Sequence, residues 1–142
     1  IFSYIINAPF PGRFIAGTNN IAREDGMECY CTLFDENKNV LCQYNSIGFY
    51  MLEDSSYVGI AYYDGFGSSG NVLRGKNGDV LKIGYRFIDK DGNEISPCLD
   101  MENAPEWFWE DSITEHLNDP ITATDDDGNE FTFTPSDYVR KS

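Results

Sequence analysis

Three segments combine Asp and Asn, in two of them with Gly, closely enough to suggest calcium chemistry. Ca²⁺ binds several carboxylate and carbonyl oxygens together. The spacing argues against an EF-hand, because Gly92 is the fourth residue counted from Asp89, where an EF-hand loop has its glycine at the sixth position. The same residue types form tight hairpin turns between β-branched or aromatic runs, so we predict turns and no metal. The segments are residues 34–40, 88–95 and 124–131.

The four cysteines and the single histidine are the other potential metal ligands. Structural zinc sites use cysteine pairs spaced by two to four residues, whereas this chain has one Cys-x-Cys pair and scattered partners. A chain of 142 residues needs no disulfide for stability, so we expect reduced thiols packed in the core and a cytoplasmic protein. No cofactor is predicted. The residues concerned are Cys29, Cys31, Cys42, Cys98 and His116.

A catalytic site is difficult to assemble from these residues. The chain has no Gly-x-Ser-x-Gly element and no phosphate-binding loop. Glu110 and Asp111 could act as the two carboxylates of a glycoside hydrolase, but adjacent acids arise by chance among 24 Asp and Glu residues. His116 is better explained as packing at a helix C-terminus, where a cation suits the helix dipole. We therefore predict that the protein is not an enzyme.

The elements that must position these residues are predicted to be mainly β-strands. Short apolar or alternating runs separated by turn residues indicate a mainly β (α+β) fold, with antiparallel sheets or a sandwich built from hairpins. The length suits a single domain over residues 1–142. Strands are predicted near residues 2–7, 27–34, 39–45, 47–52, 57–63, 71–74, 79–88, 93–97, 120–124 and 130–134.

One helix is predicted near residues 104–117. Asn103 and Glu106 have the spacing of a capping box, and a proline follows in the first turn. An alternative start at Ser112 would leave residues 107–109 extended. A short turn is also possible at residues 136–141. The apolar face of the helix would contain residues that repeat every four positions, namely Trp109, Ile113 and Leu117.

The acidic residues are unevenly distributed along the chain. Residues 91–139 contain fourteen Asp and Glu and no Lys or Arg, whereas the first 90 residues have ten acids and eight bases. Like charges in one region repel each other, and a cationic partner would relieve that repulsion and be attracted from a distance. An acidic surface can also serve solubility alone. A disordered acidic tail is poor in aromatics, but this region contains Trp and Phe, so we expect a folded surface.

The charge distribution disfavours two classes of partner. Nucleic-acid binding needs clustered Lys and Arg to contact phosphates, which this region lacks. Anionic membranes would also repel an acidic surface, and no apolar run is long enough to span a bilayer. Carboxylates beside Trp rings instead present negative charge and flat apolar groups, the features by which a nucleic-acid-binding protein recognises its substrate.

In size, β-rich character and uneven acidity the chain resembles bacterial immunity proteins, including those paired with contact-dependent growth-inhibition toxins. The resemblance implies a protein that binds and neutralises a cationic toxin, first of all a nuclease, in a one-to-one complex. Inhibition would occlude the active site or an adjacent exosite, without chemistry of its own. The candidate contact residues, on or beside the predicted helix and at a hairpin tip, are Glu106, Trp107, Trp109, Glu110, Asp111, Glu115, Asp119, Asp125, Asp126 and Asp127.

An alternative function is a β-sandwich module that binds calcium or a carbohydrate. Calcium would be held by the Asp-rich turns, and a sugar would stack on exposed aromatic rings. The competing explanation is that these aromatic residues alternate between core and surface along a strand. The residues of this possible platform are Tyr57, Tyr62, Tyr63 and Phe66.

Overall fold

The computed structural model describes residues 4–17, 21–23, 26–28, 30–65, 81–100, 102–108, 112–125 and 127–139. The predicted mainly β fold is confirmed, because the described strands pair only as antiparallel neighbours. The strands are β1 (Tyr4–Asn7), β2 (Arg13–Gly17), β3 (Ile21–Arg23), β4 (Gly26–Glu28), β5 (Cys31–Asp35), β6 (Val40–Tyr44), β7 (Ser46–Met51), β8 (Tyr57–Tyr63), β9 (Gly84–Ile88), β10 (Ile121–Thr124) and β11 (Glu130–Phe133).

A three-stranded sheet in the order β7-β8-β9 forms the central layer. Side chains alternate between the two faces of a strand, and β8 buries both of its faces. Val58 and Ile60 pack in one apolar cluster, while Ala61 and Tyr63 pack in a second. The sheet is therefore covered on both faces.

The second cluster joins the central sheet to a four-stranded sheet in the order β1-β2-β5-β6. Leu33 of β5 is fully buried, and Ile15 of β2 is almost so. The edge strand β1 differs, because Ile5 and Ile6 are 62% and 52% exposed. The strands β3 and β4 form a separate two-stranded sheet.

The first cluster joins the opposite face of the central sheet to the C-terminal third of the chain. Phe87 of β9 stacks on Phe108, with ring centroids 5.7 Å apart. Phe133 of the β10–β11 hairpin is fully buried against both rings. A four-residue helix, α1 (Ser136–Val139), follows this hairpin. Within the described part of the chain, no helix is long and apolar enough to cross a membrane.

The three predicted Asp-rich turns are confirmed and share one hydrogen-bond pattern. In the second turn, Asp89 Oδ1 accepts the backbone N–H groups of Asp91 and Asn93, each at 2.9 Å. Asp35 and Asp125 accept the corresponding pairs of N–H groups in the other two turns. The fourth residue of each turn has positive φ, and these residues are Lys38, Gly92 and Gly128.

The helical segment expected at 104–117 takes a different form. Its described residues contain two separate 3₁₀ turns, Glu106–Phe108 and Ile113–Glu115, in place of one continuous α-helix. Like charges four residues apart weaken an α-helix, and Glu106 with Glu110 and Asp111 with Glu115 have that spacing. Ser112 makes no capping hydrogen bond with its side chain. The short terminal turn predicted after residue 135 is present as α1.

Other strand predictions differ in detail. Neither β2 nor β3 was predicted, whereas residues 93–97 pair with β9 only through an isolated bridge at Glu94. The predicted strand at 71–74 lies outside the described residues. Within the predicted strand 79–88, the described strand begins at Gly84. Gly84 has a φ of +138°, which favours glycine and marks the start of regular pairing.

Candidate functional site

Trp107 is anchored between neighbouring rings. It lies in the Glu106–Phe108 turn, half-buried against the first apolar cluster. Its ring stacks on that of Phe108 at 5.2 Å and on that of His116 at 4.7 Å, with the latter pair only 14° from parallel. Packing against these two rings restrains Trp107, and Glu106 beside it is exposed.

His116 links this aromatic stack to a carboxylate. It follows the Ile113–Glu115 turn, and its backbone N–H donates to the carbonyl of Ile113 at 3.0 Å. Its Nδ1 lies 2.7 Å from Oδ2 of Asp119, which is 60% exposed. The expected packing of His116 at a helical C-terminus is confirmed, with a 3₁₀ turn in place of the α-helix. Trp107, His116 and Asp119 therefore form one connected surface.

A cleft of about 610 Å³ lies beside this surface. One side is formed by the turn that follows β7, and the other by the Ile113–Glu115 turn and the residues after it. Glu115 and Asp119 are thereby brought together with Glu53, which is distant in the sequence. The lining consists of Met51, Leu52, Glu53, Thr114, Glu115, Leu117, Asn118 and Asp119.

The contribution of residues 51–53 was missed by the sequence interpretation. Glu53 belongs to the part of the chain where acids and bases nearly balance, so its charge did not stand out. Met51 ends β7 and is 60% exposed, so it does not belong to a buried apolar pattern that the sequence could reveal. No periodic signal joins residues 51–53 to residues 114–119. Only the tertiary fold brings them together.

The predicted hairpin tip is exposed, but one of its carboxylates has a structural role. Asp125 Oδ1 accepts the N–H groups of Asp127 and Asn129 at 3.0 and 2.9 Å. Asp127 is exposed. Asp125 is thus a turn-forming residue first, and Asp127 is the more available of the two. The predicted contact residues Trp109, Glu110, Asp111 and Asp126 lie outside the described residues.

The tyrosines proposed as a sugar platform do not form one flat surface. Tyr63 is buried at 2% exposure in the second cluster, while its neighbour Tyr62 packs against the first. Tyr62 also stacks on Tyr85, with ring centroids 4.6 Å apart. The alternation of core positions along β8 therefore explains these residues. Phe66 lies outside the described residues.

A buried arginine is the main polar feature that the sequence interpretation did not single out. Arg86 of β9 is 1% exposed, and its Nη2 donates to the carbonyl oxygens of Lys82 and Gly84. Its Nη1 lies 3.3 Å from Glu94, and its Cζ lies 5.1 Å from the centre of the Tyr44 ring. Burial, with the nearby Glu94 charge, raises the pKa of Tyr44. This cluster is internal and joins β9 to β6.

The cysteines lie near this internal region. Cys31 and Cys42 are buried in the second cluster, as expected for small core side chains, and Cys98 is half-buried. Arg86 Nη2 lies 3.1 Å from the sulfur of Cys98. Burial raises the pKa of the Cys98 thiol, although the Arg86 charge opposes that shift. Cys29 lies outside the described residues.

The described residues contain no group of three or more His, Cys, Asp or Glu side chains that could hold a metal ion. Comparison with known proteins gave no match to a family model, to a curated protein or to a solved structure.

Proposed function

We propose that this protein is an acidic inhibitor of the immunity type, which binds a cationic protein toxin and neutralises it by occluding its active site. The foremost class of toxin is a nuclease, and the complex is one-to-one in the cytoplasm. The observation that carries the proposal is the block of fourteen carboxylates, without Lys or Arg, over residues 91–139. Such a block destabilises the isolated chain and favours a cationic partner.

The described surface supports this function by its combination of groups. Glu106, Glu115 and Asp119 are exposed, and Trp107 is held by stacking beside them. Trp is enriched among residues that dominate binding energy, and a ring already fixed by packing loses little side-chain entropy on binding. The surface thus offers a fixed aromatic edge beside exposed carboxylates.

The inhibitory mechanism follows from the chemistry of the target. A nuclease binds phosphates through Lys and Arg, and the same cations would pair with the carboxylates of this protein. Long-range attraction would speed association, whereas packing of Trp107 would slow dissociation. No bond is made or broken. Inhibition would result from exclusion of the nucleic acid from the basic cleft.

Affinity capture with the tagged chain, followed by purification of one basic partner, tests this function. We expect the chain to abolish the activity of the partner at a one-to-one ratio. Association should slow by at least about tenfold between 50 and 500 mM NaCl, because salt screens the attraction. Normal partner activity in the saturated complex would contradict the proposal.

Charge reversal locates the contact surface. The triple variant Glu110→Lys, Asp111→Lys, Glu115→Lys should lose binding and remain folded by circular dichroism. The matched pair is Glu115→Lys against Glu36→Lys, since both positions are exposed and both variants change the net charge equally. Only Glu115→Lys should weaken binding. Equal effects of the two single variants would show that net charge alone matters and would remove residues 106–119 as the contact surface.

The calcium-binding alternative is tested by thermal melting. Asp35, Asp89 and Asp125 already accept backbone N–H groups in their turns. We therefore expect micromolar Ca²⁺ to leave the melting temperature unchanged. A large increase would indicate a specific calcium site, since a ligand that binds only the folded state stabilises it.

A further inference from the structure

The cleft between residues 51–53 and 114–119 combines apolar side chains with carboxylates, and we propose that it binds one arginine side chain projecting from a basic partner protein. The identity of that partner as a toxin rests on the proposed function. The preference of the cleft for a guanidinium group does not, because it follows from the cleft itself.

The apolar part of the cleft matches the stem of an arginine. Met51 is 60% exposed, although Leu52 and Leu117 beside it are 3% and 7% exposed. Methionine is flexible and polarizable, so it adapts to an irregular ligand. Arginine buries its methylene stem along apolar surface while its charged end reaches polar groups. Met51 is therefore placed to cover the stem.

The charged part of the cleft matches the guanidinium group. Glu53, Glu115 and Asp119 contribute three carboxylates, and the described residues of the lining include no Lys or Arg. Asp119 is partly engaged by His116 at 2.7 Å, so Glu53 and Glu115 are the principal acceptors. Guanidinium presents five N–H donors in a plane and can bridge two carboxylates, which a compact ammonium group does less well.

Methyl NMR of the full chain provides the direct test. The chain has three methionines, so labelling with ¹³C at the ε-methyl group gives few signals, and Met51→Leu assigns the one in the cleft. The probe is N-acetyl-arginine amide, with neutral N-acetyl-citrulline amide as its isostere at constant ionic strength. We expect the Met51 signal to shift saturably with the arginine probe, with a Kd on the order of 1 mM. Equal shifts with citrulline would overturn the proposal.

Variants test the carboxylates. Glu53→Gln combined with Glu115→Gln should weaken binding of the arginine probe at least about fivefold. Glu102→Gln combined with Glu130→Gln removes the same charge from exposed positions outside the cleft and should leave the affinity unchanged. Equal weakening by both pairs would show a general charge effect and refute the cleft. Melting curves establish that each variant is folded.

The outcomes separate this inference from the proposed function. A chain that inhibits a basic partner but shows no arginine-specific Met51 shift would refute the cleft and leave the inhibitor function standing. A chain that inhibits no basic partner, yet shows the shift and its loss in Glu53→Gln with Glu115→Gln, would refute the inhibitor function and support the cleft.

Discussion

At the scale of single residues, Gly92 and Gly128 occupy the same position in two related turns but have different surroundings. Both have a φ of +82°. A Cβ at Gly92 would lie 3.0 Å from the carbonyl oxygen of Leu41 and 3.1 Å from Cys42, whereas a Cβ at Gly128 would meet none of the described residues within 4 Å. Both positions therefore need a residue that tolerates positive φ, but only Gly92 also lacks space for a side chain.

This difference predicts unequal costs for two identical substitutions. Gly128→Ala should lower the free energy of unfolding by about 1 kcal/mol, from the positive φ alone. Gly92→Ala should cost roughly 1 to 3 kcal/mol more, because β6 must move to accommodate the methyl group. Urea denaturation at pH 7 measures both. Equal losses would show that the contact with Leu41 and Cys42 relaxes without cost.

Arg86 is predicted to be the most costly charged residue to remove. Arg86→Met keeps much of the side-chain volume but removes the guanidinium donor to the carbonyl groups of Lys82 and Gly84, and of these two residues Gly84 is buried. A buried unsatisfied group costs about 1 to 3 kcal/mol, so we expect a loss of roughly 2 kcal/mol in the free energy of unfolding.

Glu94→Gln is the matched control for Arg86. Glu94 is 44% exposed, so water can replace its contacts, and we expect a loss below about 1 kcal/mol. The comparison uses the same urea denaturation experiment. A Glu94→Gln loss as large as that of Arg86→Met would mean that the ion pair, and not the pairing of backbone carbonyls, stabilises this cluster.

At the scale of elements, the three Asp-rich turns could be predicted from the sequence, whereas the form of the helical segment at residues 104–117 could not. The Asp and Asn residues of the three turns act locally, so their hydrogen bonds depend on neighbours within four residues. Residues 104–117 have capping signals at both Asn103 and Ser112, together with repelling carboxylates. Burial of Phe108 and Ile113 against the central sheet favours two short 3₁₀ turns. Tertiary packing therefore determines the form of this segment.

The candidate site could also be predicted only in part from the sequence. Trp107, Glu115 and Asp119 were predicted from the composition of one segment. Met51 and Glu53 were not, because their proximity depends on how β7 packs against that segment. Sequence patterns report on neighbours along the chain, and a cleft between distant segments leaves no such pattern.

The edge strand β1 supports a prediction about association. Ile5 pairs in register with Ala16 of β2, but it is itself 62% exposed. Ile5→Lys should change the free energy of unfolding by less than about 0.5 kcal/mol and reduce light scattering at high protein concentration, since edge lysines oppose strand pairing between molecules.

Ile15→Lys is the contrasting substitution within the same sheet. Ile15 is 4% exposed in β2, and burial of an unpaired ammonium group there should unfold the protein at 25 °C. Circular dichroism distinguishes the two variants directly. Unfolding by Ile5→Lys as well would show that β1 is covered in solution.

At the scale of the whole molecule, the net charge of −14 is unevenly distributed. One part of the chain has nearly equal numbers of acids and bases, and the other part is strongly acidic. The acidic part packs on one face of the central sheet through the first apolar cluster, and the four-stranded sheet packs on the other. Apolar burial therefore holds together a region whose charges repel each other. The repulsion between these carboxylates lowers the free energy of unfolding. A cationic partner that neutralises them would restore that free energy.

This repulsion predicts that salt stabilises the isolated protein. It also predicts that neutralising an acid changes the free energy of unfolding by an amount that depends on which part of the chain contains that acid. Glu130 is exposed in the acidic part, and Glu130→Gln should raise the free energy of unfolding by a few tenths of a kcal/mol at 20 mM NaCl. Glu36 is also exposed, but its carboxylate lies 3.7 Å from Arg13, so Glu36→Gln should give no gain or a slight loss.

At 500 mM NaCl screening should remove most of the difference between the two variants. Urea denaturation at both salt concentrations measures it, and an equal gain from both variants would show that repulsion is spread over the molecule and is not concentrated where a partner would bind.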